Sequence, residues 1–294
     1  NQFGSALQYF TGSKEHNIVL RKIAIDKGLK LNEYGLFKAA KMITGRTEEE
    51  IYKKLGMDYI EPELRENQGE IEAAQTHQLP QLINSNDIKG DLHVHSDWDG
   101  GANSVKELAE AAIKMGYQYI GIADHTKFLA IEHGLDEKQL EKRNKEIDKI
   151  NLQLTTNNQQ LRILKGCEAN IMTDGSIDIK DEALAKLDFV IAGVHSQFKM
   201  LKEKMTERII TAMRNPNVDI ISHITGRIIK QRDEYEIDFD KILKVAKETG
   251  TILEINAFPL RLDLKDINIR KAAALGVKMA VNTDSHQLEQ LRFM

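Results

Sequence analysis

The chain has 294 residues, with 41 Lys+Arg against 45 Asp+Glu, so its formal net charge is -4. This length allows one large or two medium domains, and the near-neutral balance does not mark a typical basic nucleic-acid binder. No apolar run reaches the roughly 18–20 residues of a membrane span, and Cys167 as the sole cysteine excludes a disulfide framework and fits a reducing cytoplasm.

The chain starts at Asn1 with no signal-peptide pattern, and the helix predicted to start at His286 stops at Met294. Both ends suggest a fragment of a longer protein. Residues 1–75 read as helices and short hairpins. Ile18, Val19, Ile23 and Ala24 follow helical spacing behind Ser13 as N-cap, and Gly28 stops the run. Thr47 and Glu50 form the pattern of a capping box. Residues 14–54 hold ten Lys/Arg against six Asp/Glu, which is either a solvated helix face or one turned toward phosphates. Residues 61–90 are polar and contain Pro62 and Pro80, so a tether is expected there, with the linker at 76–87. His16 and His77 read as surface residues.

From residue 88 onward, strand-like runs alternate with helix-like ones. The strands are Ile88–His95, Tyr119–His125, Arg162–Ile171, Phe189–His195, Val218–Ile224, Thr251–Phe258 and Val277–Thr283. Between them lie helical stretches such as Ser104–Met115, Glu137–Leu154, Glu203–Arg214 and Phe239–Glu248. Seven such units predict a parallel sheet with helical crossovers. No GxGxxG follows the first strand, which argues against a dinucleotide fold. Polar chemistry ends nearly every strand, which favours a barrel over an open sheet with one switch point.

Those strand ends carry His93 and His95, His125, Glu168, His195, His223, Glu254 with Asn256, and Asp284 with His286. Side chains alternate along a strand, so His93 and His95 share one face, Leu92 and Val94 the other, and Asp284 pairs with His286. Six histidines plus Glu168 and Asp284 exceed one tetrahedral zinc and suit two or three ions of zinc, manganese or iron, with a carboxylate such as Glu168 as bridge. A lone strand-end histidine is usually a bonded core or rim residue; six at corresponding ends point to metal. Such sites favour phosphoester hydrolysis, because one ion activates water while others neutralise phosphate oxygens. His133 follows no strand and reads as a surface or substrate-side residue. Cys167 points away from Glu168 and reads as a small buried hydrophobe.

The runs Asp91-Leu92-His93-Val94-His95-Ser96, Ala123-Asp124-His125, Gly166-Cys167-Glu168, Gly193-Val194-His195-Ser196, Ser222-His223 and Asn282-Thr283-Asp284-Ser285-His286 resemble the polymerase and histidinol phosphatase (PHP) superfamily, in order over residues 88–286. The resemblance implies a distorted seven-stranded TIM-like (β/α) barrel with a trinuclear centre. One ion would take His93, His95, Glu168 and Asp284; a second Glu168, His195 and His223; a third His125, His286 and an acid from the loop after the first strand. Where relatives read Ser-Asp-Gly, this chain reads Asp99-Gly100-Gly101, so Asp99, or Asp97, must shift to serve as that acid.

Residues 2–17, with Tyr9-Phe10-Thr11-Gly12 followed by Asn17 and Arg21, resemble the small α+β thumb subdomain of family X DNA polymerases. By that resemblance Tyr9, Phe10 and Gly12 line a deoxynucleotide sugar pocket, Asn17 faces the incoming base and Arg21 approaches the template. The combination resembles bacterial and archaeal family X polymerases, with thumb at 1–75 and a C-terminally cut PHP domain at 88–294. It implies a cytoplasmic, monomeric metal-dependent phosphodiesterase acting on DNA 3′ ends, gapped or abasic DNA. Catalysis would rest on His93, His95, Glu168, His195 and Asp284, using manganese and/or zinc or iron. Arg227, Arg261, Lys127 and Asn256 are candidates for substrate phosphate. Gap-filling synthesis would need a palm expected before Asn1. A small-molecule phosphatase and an inactive structural barrel are the alternatives.

Overall fold

The computed structural model describes residues 2–294, which divide into two compact units with the break between Ile83 and Asn84. The first unit runs α1 (Phe3–Thr11), α2 (Lys14–Asp26), an antiparallel sheet of β1 (Lys30–Asn32), β2 (Gly35–Lys38) and β3 (Lys41–Thr44), then α3 (Glu48–Leu55) and α4 (Glu70–Gln75). The Ser13 hydroxyl accepts from the His16 amide at 3.1 Å and caps α2. Gly28, with φ +70°, releases the chain from that helix. Thr47 caps α3, but the reciprocal half of the box is not made: the Glu50 carboxylate accepts from Thr44 Oγ1 at 2.7 Å instead.

Two expectations are corrected here. Residues 61–75 are not a tether, because Ile71 and Ala74 enter the core with Leu20, Leu36 and Ile51. Arg65 is fully buried, paired with Glu48 at 2.6 Å and set against the rings of Tyr52 and Tyr59. His16 is not a surface residue. It is buried, with Nδ1 2.7 Å from Glu70 Oε1 and Nε2 3.1 Å from the Tyr52 hydroxyl. Burial lowers its pKa, so the neutral ring donates from Nδ1 and accepts from Tyr52. His77 is exposed beside Asp58.

The second unit contains β4 (Gly90–Val94), α5 (Val105–Lys114), β5 (Tyr119–Ile122), α6 (Glu137–Thr156), β6 (Arg162–Lys165), β7 (Glu168–Asn170), α7 (Asp181–Leu184), β8 (Ile191–Gly193), α8 (Lys202–Met213), β9 (Ile220–Ile221), α9 (Phe239–Thr249), β10 (Ile252–Asn256), α10 (Asp266–Ala274) and β11 (Met279–Asn282). Ser104 with Glu107, and Asp136 with Gln139, form full capping boxes on α5 and α6. Strands pair in parallel as β4-β5-β6 and β7-β8-β9-β10-β11. One strand is thus split at Gly166-Cys167: its first half pairs with β5, its second with β8. Bridges His125–Glu168 and Val94–Ser285 close the remaining gaps. The result is a distorted (β/α)7 barrel.

Helices cover the outside through two apolar clusters, one around Ile209, Ile242 and Cys167, the other around Leu108, Ile120 and Ile147. The interior holds Phe189, Ile191, Ile220 and Ala123. Gly166 is needed there, because a Cβ would lie 2.2 Å from the Phe189 ring. Alternation fails in part along β4: its register shifts between Asp91 and Val94, and Leu92 packs with the interior cluster while Val94 joins the α5 layer. No helix among the described residues is long and apolar enough to cross a membrane.

Candidate metal centre

The C-terminal ends of the strands bring the predicted histidines and acids together. Glu168, fully buried at the start of β7, lies at the centre. Its Oε1 is 2.9 Å from His223 Nε2 and 3.3 Å from His195 Nε2. Its Oε2 is 3.1 Å from His125 Nε2 and 3.4 Å from His93 Nε2. Asp284 Oδ1 lies 3.3 Å from His95 Nε2 and 3.6 Å from His93 Nε2. His286 stacks on His95 with ring centroids 4.0 Å apart. His223 and Asp284 hold positive φ angles of 23° and 55°, a conformation uncommon outside glycine and kept where a site demands it.

Backs of the rings are fixed by groups that turn Nε2 inward. His93 Nδ1 meets Glu254 Oε1 at 2.6 Å, and His195 Nδ1 donates to Asn170 Oδ1 at 2.7 Å. His286 Nδ1 is 3.0 Å from the Asp284 carbonyl. This is how ligating imidazoles are held in metal proteins. The sequence alone assigns no role to Glu254, to Asn170 or to the Asp178 that accepts from Asn170. A carboxylate two residues before a strand end looks like any other, and only the alternation of Glu254 with Asn256 hinted that it faces inward.

Asp99 departs from the expected ligand. Its Oδ2 accepts at 2.7 Å from His95 Nδ1, at 2.8 Å from His125 Nδ1 and at 2.6 Å from the His125 amide. It therefore sits behind two rings and orients them, while Asp97 is exposed. Asp124 ties the same region together, accepting from the Ser96 amide at 2.6 Å and pairing with buried Arg143 at 2.9 Å.

The inward donor set fits divalent ions. Nε2 of His93, His95 and His195 and Oε2 of Glu168 are buried and face one another or their neighbours in the centre at 3.1–3.9 Å without an aligned hydrogen bond. Buried polar atoms are normally paired, and these are atoms that zinc, manganese or iron accept. Four groups, His93–His95–Asp284, His95–His125–His286, His125–Glu168–His195 and His95–Asp99–Asp124, each bring donor atoms within 4.8 Å of one another, and the last holds the Asp99 that accepts from His95 Nδ1. Gly193 keeps room beside them, since a Cβ would lie 2.8 Å from Glu168 Oε1 and 2.9 Å from His195 Cε1.

Electrostatics agree. Burial pushes the Glu168 carboxyl up, but His195 and His93 outweigh it and hold the group well below the usual range. Burial likewise opposes ionisation of Asp284, and His93, His95 and Arg261 override it. Burial pulls His93 down, yet Glu254, Glu168 and Asp284 raise it well above its ordinary value. His286 goes the other way, lowered to about 4 by burial and by His95. The carboxylates thus demand positive charge at this mouth.

Phosphate candidates are placed unequally. Arg261 Nε lies 3.1 Å from Asp284 Oδ2, and its buried Nη1 has no partner. Arg227 instead donates from Nε to the Arg261 carbonyl at 3.0 Å and from Nη2 to the Leu262 carbonyl, so it props the loop that carries Arg261. Asn256 is spent inside: its amide donates to Asp284 Oδ2 at 3.1 Å and Glu254 Oε2 at 3.2 Å, and its oxygen accepts from the Phe258 amide. Lys127 pairs with Glu137 at 2.7 Å near the surface. These positions correct the expectation of direct phosphate contact for Arg227 and Asn256.

In the first unit, Phe10 is exposed, Tyr9 is half-buried and Gly12 packs against Asn17 and His16. Asn17 is buried, with both amide hydrogens on the Tyr9 and Gly12 carbonyls and its oxygen taken by Gln8. It braces the α1–α2 turn here, which corrects the expectation of a base-facing side chain. Arg21 donates to the Asn17 carbonyl at 3.1 Å.

Residues 6–66 match the DNA polymerase beta thumb family, and residues 91–258 match the PHP domain family. The chain is 44% identical over 292 residues to the "DNA polymerase/3′-5′ exonuclease PolX" of Bacillus subtilis strain 168, covering 99% of this chain and 50% of that protein. It thus spans about half of that relative's length. It is 35% identical over 208 residues to a "Probable phosphatase" of Thermoanaerobacter sp. strain X514, covering 67% of this chain and 78% of that one. A Listeria monocytogenes structure assigned as the histidinol phosphatase hisK aligns with TM-score 0.53 at 15% identity, covering 69% of this chain and 97% of that chain, and shares the fold.

Proposed function

The chain belongs to the PHP family, in the family X DNA polymerase branch that joins a polymerase thumb to the barrel, and from this premise we propose that its barrel is a metal-dependent phosphodiesterase acting on DNA 3′ ends. The observation that carries the reading is the convergence of inward-facing, buried Nε2 atoms and Glu168 Oε2 on one mouth, in a chain that also carries the thumb. His93, His95, His125, Glu168, His195, His223, Asp284 and His286 would hold two or three ions of manganese, zinc or iron. Such ions supply Lewis acidity toward phosphoryl oxygens and lower the pKa of water.

The protein's own groups do the rest. Glu254, Asp99 and Asn170 fix the tautomer and direction of the rings in front of them. Arg261 offers its unpaired Nη1 to a non-bridging phosphate oxygen while Nε keeps Asp284 ionised. Arg227 holds the loop that aims Arg261. The thumb supports DNA as the partner, with Tyr9, Phe10, Gly12 and Arg21 on the nucleotide side. Abasic-site cleavage and 3′-end cleaning are further activities of the same chemistry. The cytoplasm is the compartment that suits such a DNA enzyme with one buried thiol.

Incubating the chain with a 3′-labelled oligonucleotide and with histidinol phosphate, metal by metal, tests this. Preferential release of the terminal nucleotide supports the reading. Faster turnover of histidinol phosphate would replace it with the small-molecule phosphatase, the reading that the Thermoanaerobacter relative's name favours.

A further inference from the structure

Phe128 is 45% exposed, and Ile131 in the same loop is 88% exposed. Both lie in the connection that leaves β5 just after His125, beside a mouth otherwise lined with imidazoles and carboxylates. The Leu129 amide donates to the Thr126 carbonyl at 3.0 Å, so the chain turns back at Phe128. Phe128 is two residues from Thr126, which limits their Cα separation to about 7 Å. The loop also flanks the 97–101 segment: a Cβ on Gly100 would lie 3.6 Å from the Glu132 carbonyl oxygen.

Phe128 leaves nearly half of its surface in water, yet its backbone is fixed. The Phe128 amide donates to Asp178 Oδ2 at 2.9 Å. The same carboxylate oxygen accepts from Asn170 Nδ2 at 2.9 Å, and Asn170 Oδ1 in turn receives His195 Nδ1 at 2.7 Å. Thr126 Oγ1 adds a bond to Asp178 Oδ1 at 2.7 Å. One carboxylate therefore holds the Phe128 backbone directly and the His195 imidazole through Asn170. A partly exposed aromatic whose backbone is tied into the hydrogen-bond network behind a polar mouth suits a flat apolar partner, and a nucleobase is the flat apolar part of a nucleotide.

Resting on the phosphodiesterase reading above, we propose that Phe128 stacks on the base of the 3′-terminal nucleotide and sets the preference for nucleotides over phosphoesters that lack a base. Phe128 is then a specificity-determining residue, and Asp178 positions it.

The test compares kcat/KM on two 3′-labelled oligonucleotides, one ending in an ordinary nucleotide and one in an abasic tetrahydrofuran residue, with manganese present. The wild type is expected to favour the ordinary end by about tenfold, Phe128→Ala to lose that preference, and Phe128→Trp to keep it. A purely structural role would lower both ends equally in Phe128→Ala, and that result, or an unchanged preference, overturns the inference. A wild type that digests both ends equally overturns it while leaving the phosphodiesterase reading intact. No digestion of either end overturns that reading and the inference with it.

Discussion

Glu254→Gln changes one atom and leaves shape intact, yet it should impair the centre. Glu254 Oε1 accepts from His93 Nδ1 at 2.6 Å and Asn282 Nδ2 at 3.0 Å. Oε2 accepts from the His223 amide at 2.9 Å and Asn256 Nδ2 at 3.2 Å. All four partners donate. A glutamine must turn its NH2 toward one pair, so two donors face a donor in either orientation. If the NH2 faces His93, the ring loses the group that fixes its tautomer. If it faces His223 and Asn256, the β9 and β10 ends lose their shared acceptor. Loss of a group behind a ligating imidazole costs about 10- to 100-fold in metal affinity or activity, or about 1.4–2.8 kcal/mol. Manganese affinity is read by competition with a fluorescent chelator, and phosphodiesterase kcat on the same preparation. Affinity and kcat within twofold of wild type would refute the claim that the four donors around position 254 require a carboxylate.

Other consequences are equally specific. Gly193→Ala places a methyl group 2.8 Å from Glu168 Oε1, and should abolish metal uptake in a titration while the circular dichroism spectrum stays helical and sheet-like. Arg65→Ala strands Glu48 in the first unit's core; breaking a buried pair this way costs about 3–5 kcal/mol, visible as a lower thermal midpoint for that unit. Acid should weaken the first unit. Burial lowers the His16 pKa below 6.5, so the unfolded chain takes the proton first and stability falls as pH drops below about 6.5. Glu70 is resisted by burial but held low by His16 and backbone amides, so its contribution is lost below its unfolded value of 4.5. Urea midpoints at pH 7.5 and 5.5 should differ in the wild type and differ less in His16→Gln.

The strands, the Ser13 cap and the inward histidines were readable because each rests on local spacing: His93 and His95 at period two, Ser13 three residues before the His16 amide that it caps. The departures have a common cause, partners distant in sequence. His16 looked like a surface residue because Glu70 is 54 residues away. Asn17 and Asn256 looked free because their acceptors lie across a turn and a strand. Asp99 offered a carboxylate in nearly the right place, but spacing cannot tell a group in front of an imidazole from one behind it. Leu92 and Val94 part company because the β4 register shifts between Asp91 and Val94, which no alternation rule anticipates.

Whether the inward imidazoles hold ions is decided by native mass spectrometry of the chain loaded with manganese or zinc, which counts them directly. Two or three ions per wild-type chain, with fewer on His93→Ala/His95→Ala, are the predicted result. A wild type that binds none, or a variant that binds as many as the wild type, would contradict the account.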